Sequence, residues 1–576
     1  MHMKDFWKML LAVVCGLLLF GFITLFIFGS AFSASMSATQ GKTPVLPREG
    51  VLAVDMSTFM LDEQENPMPS FNGGSNIPTV ALYKAVEAVK KAAADPGVKC
   101  VFLRTDGNLS GAASIEELRK ALVQFRSSGK PIVAYIESPG TAGYWLASVA
   151  DKVYMTSYQG GDAAIGGLSM QSFFLKDLLD RFGVNMQLIR HGKYKSAGEM
   201  YIRNSPSAEN AFQYNALVGS MWSTMRADIA ASRGISEAAI DKAIDGLKLC
   251  FPEDYVKEGF VDEIVTREQL KGKLATMALA GSFDKVAFIP FPDYVASRVL
   301  PNFRAKERVA VIYANGNIVN GRDVQQIAGD RFAAVIDKVR ADSTVKAVVL
   351  RVNSPGGSVL ASEKIKHELD LLGAEKPLIA SYGTYAASGG YWISNNCDKI
   401  FSDAVTLTGS IGIFGMVPDF SKTAKDVLHV GVATFSSNKH GDMYSMMRPL
   451  DAAEVNYITR SIEAGYDKFI TLVSEGRDMP KEKVDEIGQG RVWTGADALG
   501  IGLVDEIGTL SDAIAYAAVA AGLPSDGVAV KEFPEPLTMI QQIQIMFGNQ
   551  NPEQQFVKEL SKPQILARMP FEITVY

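Results

Sequence analysis

Cysteine and histidine, two residues that often carry chemistry, are scarce in this chain of 576 residues. Its four cysteines cannot build a disulfide framework. Cys15 falls in an apolar amino-terminal run, and Cys100, Cys250 and Cys397 show no CxxC spacing, so we expect buried free thiols. The five histidines are scattered, without an HExxH motif or a Cys/His cluster. We therefore expect neither a metal nor another cofactor.

An excess of basic residues is also missing. The 57 Lys and Arg residues against 63 Asp and Glu residues give a net charge of -6, which offers no reason to expect nucleic acid as a partner. A hydrophobic content of 47% with 21% charged residues is typical of a globular protein. A chain of this length is expected to form more than one hydrophobic core.

Charge is absent from residues 9–32, which are almost wholly apolar. This run is long enough to cross a lipid bilayer. Because Lys4 and Lys8 precede it, the positive-inside bias places the amino end in the cytoplasm and the remaining chain outside. We predict a cytoplasmic end and transmembrane anchor over residues 1–35 and a linker over 36–50. A cleaved signal peptide is the alternative, since residues 30–34 could host a small-residue cleavage site.

An internal repeat organises the rest of the chain. The repeated segments are residues 98–104 and 345–351, 143–145 and 390–392, and 261–264 and 504–507. The offset is 247 residues for the first two pairs and 243 for the third. The sequence therefore predicts two tandem copies of one domain, at 51–295 and 306–524, followed by a tail at 525–576.

Apolar runs alternate with helix-like segments in each copy, which predicts an α/β fold built from βαβ units around a parallel sheet. In the second copy the predicted elements are strands at 308–314, 347–352 and 378–382, and helices at 332–341, 358–372 and 451–475. In the tail, residues 537–547 are amphipathic. They suit either a helix for subunit contact or a loosely packed terminus.

The stretch 385–392 of the second copy places Ser388 among small residues, before two glycines and an apolar run. With a predicted turn at Gly383, the pattern is strand, turn, serine and helix start, which exposes a hydroxyl where helix N–H groups favour an anion. A nearby loop holds Gly356 and Gly357, whose amides could face an oxyanion. The alternatives are a Ser-Gly-Gly turn without chemistry and a helix entry that needs flexible glycines.

A serine nucleophile needs a base, and the histidines are poor candidates. His367 lies on a surface-like helix, and neither His429 nor His440 has an obvious acidic partner nearby in sequence. There is also no G-x-S-x-G motif. A Ser-His-Asp triad is therefore poorly supported, although His191 of the first copy stays open as a fallback.

Lys195 of the first copy is the other candidate base, because it follows a predicted strand at 184–190 and has small neighbours. A buried lysine with few counter-charges can be neutral near working pH. The copies are complementary: the first has Thr141 where the second has Ser388, and the second has Tyr444 where the first has Lys195. The alternative is an exposed basic loop.

Four motifs together resemble the signal peptide peptidase A family in its long two-repeat bacterial form, also called protease IV. They lie at residues 194–197, 353–357, 385–392 and 408–415. The resemblance implies a ClpP/crotonase-like fold in each copy and a serine endopeptidase with a Ser/Lys dyad. It also implies an inner-membrane anchor, periplasmic catalytic domains, a bowl-shaped homotetramer, and remnant signal peptides as substrates.

The same resemblance assigns roles to the site residues. Ser388 would be the nucleophile, Lys195 the general base, and Ser410 the residue that orients the lysine. The amides of Gly356 or Gly357, together with Gly389, would form the oxyanion hole.

Two other functions compete with this hypothesis. The first is a crotonase-like acyl-CoA enzyme, but the predicted topology places the site away from cytoplasmic CoA. The second is a non-catalytic, membrane-associated ring scaffold. Against the scaffold, each copy retains one reactive group that complements the other.

Overall fold

The computed structural model describes residues 44–64, 70–72, 75–107, 111–158, 164–302, 304–535 and 564–569. The predicted anchor at residues 9–32 and the amphipathic stretch at 537–547 lie outside these ranges. Within them, no helix combines the length and the apolar character needed to span a bilayer.

The first half of the chain forms a six-stranded parallel sheet with the strand order β10-β8-β7-β6-β1-β11. The strands of this half are β1 (Gly50–Asp55), β2 (Met60–Asp62), β3 (Ser70–Asn72), β4 (Ser75–Ile77), β5 (Thr79–Ala81), β6 (Val98–Arg104), β7 (Ile132–Ile136), β8 (Lys152–Thr156), β9 (Asn185–Arg190), β10 (Glu263–Val265) and β11 (Phe288–Pro290). Its helices are α1 (Leu82–Ala94), α2 (Ala112–Arg126), α3 (Thr141–Ala147), α4 (Lys176–Arg181), α5 (Glu199–Ile202), α6 (Ala208–Arg233), α7 (Glu237–Asp245), α8 (Pro252–Lys257), α9 (Arg267–Met277) and α10 (Phe291–Arg298). Strand β7 is buried along its whole length, which explains why its sequence is apolar without interruption.

The second half forms a larger sheet with the main path β21-β19-β17-β15-β12-β23, beside which β18 joins β17 to β22. Its strands are β12 (Arg308–Asn315), β13 (Ile318–Val319), β14 (Ile327–Ala328), β15 (Val345–Ser354), β16 (Gly356–Ser358), β17 (Leu378–Ala387), β18 (Lys399–Ser402), β19 (Leu407–Gly409), β20 (Phe414–Asp419), β21 (Val492–Thr494), β22 (Glu506–Ile507), β23 (Val530–Phe533) and β24 (Gln564–Arg568). Its helices are α11 (Gly329–Ala341), α12 (Val359–Gly373), α13 (Gly389–Ser394), α14 (Ala452–Gly476), α15 (Lys481–Ile487), α16 (Gly495–Gly500) and α17 (Leu510–Ala520). The α/β class is confirmed.

A third sheet combines strands from both halves in the order β14-β13-β16-β24-β20-β9. Strand β9 of the first half pairs antiparallel with β20 of the second, from Arg190 opposite Phe414 to Asn185 opposite Asp419. A buried ion-pair cluster also links the halves: Arg351 on β15 lies 2.8 Å from Glu63 and 2.8 Å from Glu117. These contacts fix the end of β9 beside the second half.

The turn predicted at Gly383 is wrong, because β17 continues through this glycine to Ala387. Beyond Gly383 the strand pairs with β19, with Tyr385 opposite Leu407. The glycine serves close packing instead: a methyl group here would lie 2.6 Å from Glu63 Oε1. The six predicted strands and helices of the second copy all form, with ends shifted by a few residues.

The expectation of buried free thiols has a mixed outcome. The thiols of Cys100 and Cys397 are buried, but Cys250 is exposed, because it lies in the short connection before α8. In the tail, β23 pairs with β12, and β24 pairs with β16 and β20. The domain boundaries stay predictions.

Candidate active site

Ser388 lies where β17 ends and α13 begins, and its side chain is fully buried. Its backbone has φ 56° and ψ −112°, a conformation that non-glycine residues rarely adopt. Two hydrogen bonds hold it there: the Ser388 N–H donates to the Gly409 carbonyl at 2.8 Å, and the Trp392 N–H donates to the Ser388 carbonyl at 2.8 Å. Such strain persists only where surrounding structure enforces it and is common at active sites.

Lys195 reaches Ser388 from the first half of the same chain. It follows β9, and its fully buried Nζ lies 2.7 Å from the Ser388 Oγ. Nζ also lies 2.9 Å from both the carbonyl oxygen and the Oγ of Ser410. The structure thus brings together the three predicted residues Ser388, Lys195 and Ser410 within one chain.

The surroundings of the Lys195 amine favour its neutral form. All three oxygen atoms in contact with Nζ belong to uncharged groups. Burial holds the pKa of Lys195 well below its usual value, since an ammonium loses its hydration there without gaining a carboxylate. A neutral amine donates two hydrogen bonds and accepts one, so it can donate both to Ser410 and accept the Ser388 hydroxyl proton.

A backbone segment that the sequence did not single out holds the lysine against Ser410. The Tyr194 N–H donates to the Gln489 carbonyl at 2.9 Å, and the Ser410 N–H donates to the Arg491 carbonyl at 2.7 Å. Gly490 lies between them with φ 78°, and a methyl group on it would lie 2.6 Å from the Lys195 backbone nitrogen. In sequence, the only signal was a pair of glycines after a helix, which is also how an ordinary helix ends.

The three glycines predicted for the oxyanion hole lie together beside Ser388. A methyl group on Gly389 would lie 3.1 Å from the Gly357 amide nitrogen, and one on Gly356 would lie 2.6 Å from the Gly389 amide nitrogen. The Gly356 N–H donates to the Ser354 Oγ at 3.2 Å. The amide of Gly356 is therefore already engaged, which favours Gly357 and Gly389 as the donors to an oxyanion.

None of the histidines in the described part of the chain faces Ser388. His191, the fallback base, has its Nδ1 2.7 Å from Glu463 and stacks on Tyr466 at 3.7 Å between ring centroids. His367 and His429 are exposed. The lysine is thus the titratable side chain that contacts the serine hydroxyl.

His440, Asp451 and Glu454 form a group whose ligand atoms could approach a metal ion. The two carboxylates of this group already have other hydrogen-bond partners. Arg448 forms two hydrogen bonds of 2.8 Å to Glu454 and holds the pKa of that carboxyl well below its usual range. Asp451 caps α14 by accepting the Glu454 N–H at 2.8 Å. The group therefore acts as a helix-capping ion-pair cluster.

A serine hydroxyl against a buried amine of lowered pKa, beside paired glycine amides, is the arrangement of a serine hydrolase that works through an acyl-enzyme. Comparison with known proteins narrows this class. The chain belongs to peptidase family S49, whose model matches residues 124–280 and 370–524. It is accordingly a serine protease, which sets aside both the acyl-CoA enzyme and the non-catalytic ring.

Three relatives illustrate the similarity. Protease 4 of Haemophilus influenzae is 34% identical over 89% of this chain and 85% of its own length. The chloroplastic serine protease SPPA of Arabidopsis thaliana is 31% identical over 82% of this chain and 70% of its own length. A putative signal peptide peptidase SppA of Enterococcus faecium is 32% identical over 38% of this chain and 65% of its own length.

A solved structure of a ClpP1 variant from Listeria monocytogenes also aligns with the chain. It is 15% identical, covers 36% of this chain and 94% of its own, and has a TM-score of 0.24. A similarity this low carries no argument about the fold family.

Proposed function

We propose that the chain is a Ser/Lys-dyad endopeptidase in which Ser388 is the nucleophile and Lys195 the general base. The observation that carries this proposal is the 2.7 Å contact between the Lys195 Nζ and the Ser388 Oγ in a fully buried setting. Burial lowers the pKa of Lys195, so the amine is free to take a proton. Ser410 orients the amine through its carbonyl and hydroxyl oxygens.

The reaction follows from this geometry. Lys195 takes the Ser388 hydroxyl proton as the Oγ attacks the scissile carbonyl, and the amides of Gly357 and Gly389 stabilise the oxyanion. The ammonium then gives its proton to the leaving amine, which leaves an ester on Ser388. A water molecule, deprotonated by the same lysine, hydrolyses the ester and restores the hydroxyl.

The substrates we propose are remnant signal peptides and other extended apolar peptides. The apolar run at residues 9–32 would anchor the enzyme in the bacterial inner membrane, with the amino end in the cytoplasm and the catalytic halves in the periplasm. We further propose ClpP/crotonase-like copies assembled as a homotetramer. Support comes from the four sequence motifs and from one relative whose name includes signal peptide peptidase.

The test of the dyad is labelling of the purified protein with a serine-directed phosphonate probe, followed by mass mapping. We expect label on Ser388 in the wild type and none in Lys195→Ala. Label that persists on Ser388 without the lysine would overturn the assignment of the base.

A second test concerns the substrate. We expect synthetic signal peptides to be cleaved and folded globular proteins to stay intact. Equal cleavage of both would contradict the proposed substrate class.

A further inference from the structure

Helix α14 contacts both segments of the chain that position Lys195. The side chain of Tyr466 on this helix is 3% exposed, and its ring stacks on His191, which precedes the lysine in the same loop, with 3.7 Å between ring centroids and 20° between ring planes. Its hydroxyl accepts the Gln489 N–H at 3.2 Å and donates to the Asp485 Oδ1 at 2.5 Å. One tyrosine therefore joins the lysine loop to the backbone of Gln489, which faces it.

Gln489 links Tyr466 to the lysine. Its carbonyl accepts the N–H of Tyr194, the residue directly before Lys195, at 2.9 Å. The Gln489 backbone has φ 55°, a left-handed conformation that a non-glycine residue keeps only where its surroundings enforce it. Those surroundings are the Tyr466 hydroxyl at its N–H and the Asp485 carboxylate, which accepts a hydrogen bond from the Gln489 Nε2 at 2.5 Å. Loss of the hydroxyl would therefore loosen the backbone that holds the lysine loop.

The direction of the hydrogen bonds at Tyr466 is fixed by charge. Burial, together with the hydrogen bond to the Asp485 carboxylate, raises the pKa of Tyr466, so its hydroxyl keeps its proton. Because an ionised carboxylate only accepts hydrogen bonds, the hydroxyl donates to Asp485 and presents a lone pair to the Gln489 N–H. Phenylalanine at this position would remove the partner of that N–H and one of the donors to the carboxylate.

We propose that Tyr466 is a positioning residue for the reaction, which acts through Gln489 and His191 to hold the Lys195 Nζ against the Ser388 Oγ. Because a small displacement of a reacting group slows a reaction strongly, a contact one layer behind the lysine affects the rate. A tyrosine that only stabilised the fold would affect unfolding and leave the titration of the lysine unchanged. This inference rests on the proposed role of Lys195 as the base and adds the residue that keeps the base in place.

The test compares the full-length wild type, Tyr466→Phe and Tyr144→Phe, with the rate of Ser388 labelling by a serine-directed phosphonate measured across pH. Tyr466→Phe keeps the ring that stacks on His191 and removes only the hydroxyl. We expect labelling to slow by between about tenfold and 10²-fold. The acid limb of the labelling rate should also move to higher pH, because a looser loop admits water to the Lys195 Nζ and reduces the burial that favours the neutral amine.

Tyr144→Phe is the matched control. Tyr144 is also buried, and its hydroxyl donates to the Phe260 carbonyl at 2.6 Å in the first half. Its loss should lower the thermal unfolding temperature, as in Tyr466→Phe, but keep the wild-type labelling rate and acid limb. An equal shift of the acid limb in both variants would show a general effect of destabilisation and overturn the inference.

Asp485→Asn is a second variant, which keeps the Tyr466 hydroxyl and weakens its acceptor. The acid limb should move in the same direction by a smaller amount. An unmoved acid limb in Tyr466→Phe would overturn the inference while leaving the dyad in place, and Asp485→Asn decides in the same way if Tyr466→Phe does not fold. Absence of label in the wild type would instead overturn the proposed function.

Discussion

The two halves of the chain contain the same strand-to-helix junction, yet the first half has a threonine where the second has the proposed serine nucleophile. In both halves a Tyr-Trp pair follows the junction and is fully buried. The tyrosine hydroxyl is held in the same way: Tyr144 donates to the Phe260 carbonyl at 2.6 Å, and Tyr391 donates to the Leu503 carbonyl at 2.9 Å. The framework of the junction is therefore shared.

The difference lies in one residue and its partners. Thr141 is the first residue of α3, and its hydroxyl donates to the Gly167 carbonyl at 2.8 Å. The residue before it, Gly140, is extended, with φ −77° and ψ 170°. Ser388 instead has a positive φ and faces Lys195. A hydroxyl at this junction becomes a candidate nucleophile only when the backbone turns it towards a base.

The proposed general base lies in the opposite half from the serine. Lys195 comes from the first half, and its counterpart in the second half is Tyr444, which is 48% exposed. Because β9 pairs with β20, the lysine of the first half reaches the serine of the second. Neither half holds both groups at the matching positions, which is the arrangement that the proposed single composite site requires.

Matched substitutions at the two junctions test this comparison with the largest expected effect. In Ser388→Ala we expect kcat for a peptide substrate to fall on the order of 10⁵-fold, because no nucleophile is left. In Thr141→Ala we expect kcat to stay within about twofold, with a loss of about 1 kcal/mol in unfolding free energy from the missing hydrogen bond. Steady-state kinetics and thermal unfolding of both variants measure this. A comparable loss of kcat in both would contradict a single site.

The framework and the two residues that meet in the candidate site could be predicted from sequence, because periodicity places strands and the repeat exposes complementary differences. Three features could not. The continuation of β17 through Gly383 depends on pairing with β19, which has no local signal. The contact of Gly490 with Lys195 joins residues far apart in sequence. The placement of β24 between β16 and β20 depends on long-range pairing, whereas the amphipathic pattern of the tail lies elsewhere, at residues 537–547.

Replacement of the proposed base, Lys195, should have the second-largest effect on kcat. In Lys195→Met we expect kcat to fall by about 10⁴-fold, the upper range for loss of a general base. Lys193, two residues away, is exposed, so Lys193→Met is the matched control and should keep wild-type kcat.

The pH dependence of the wild type gives a further test. Its kcat/KM should rise with pH and reach its plateau well below the usual lysine pKa, since the neutral amine is the active form. An acid limb at the ordinary lysine pKa would argue against burial as the tuning factor.

Burial of Lys195 should also lower the free energy of unfolding at neutral pH. The folded pKa of Lys195 is lowered, so between the folded and unfolded values the unfolded chain binds one proton more and stability increases with pH. Lys195→Met removes this cost. We expect it to raise the unfolding free energy at pH 7 and to flatten the dependence of stability on pH. A less stable variant would contradict the prediction.

Replacing a glycine of the proposed oxyanion hole should lower kcat by a smaller factor. Gly357 has φ 155°, and a methyl group on it would overlap the Ile318 carbonyl oxygen, so Gly357→Ala should displace its amide. Losing one oxyanion donor should lower kcat by about 10²- to 10³-fold. Gly321 also has a positive φ, 88°, but open space around it, so Gly321→Ala shares the backbone strain without the overlap. Equal kcat in the two variants would show that strain, and not the amide, matters.

Ser410→Ala is expected to have the smallest effect, because it removes only one of the two Ser410 oxygens that contact the lysine. The carbonyl contact persists, so we expect kcat to fall by about tenfold, the equivalent of one lost hydrogen bond. The lost hydroxyl accepts a hydrogen bond more strongly from an ammonium than from an amine. Its removal should therefore lower the pKa of Lys195 further and move the acid limb of kcat/KM to lower pH. A serine that only filled space would lower kcat without moving that limb.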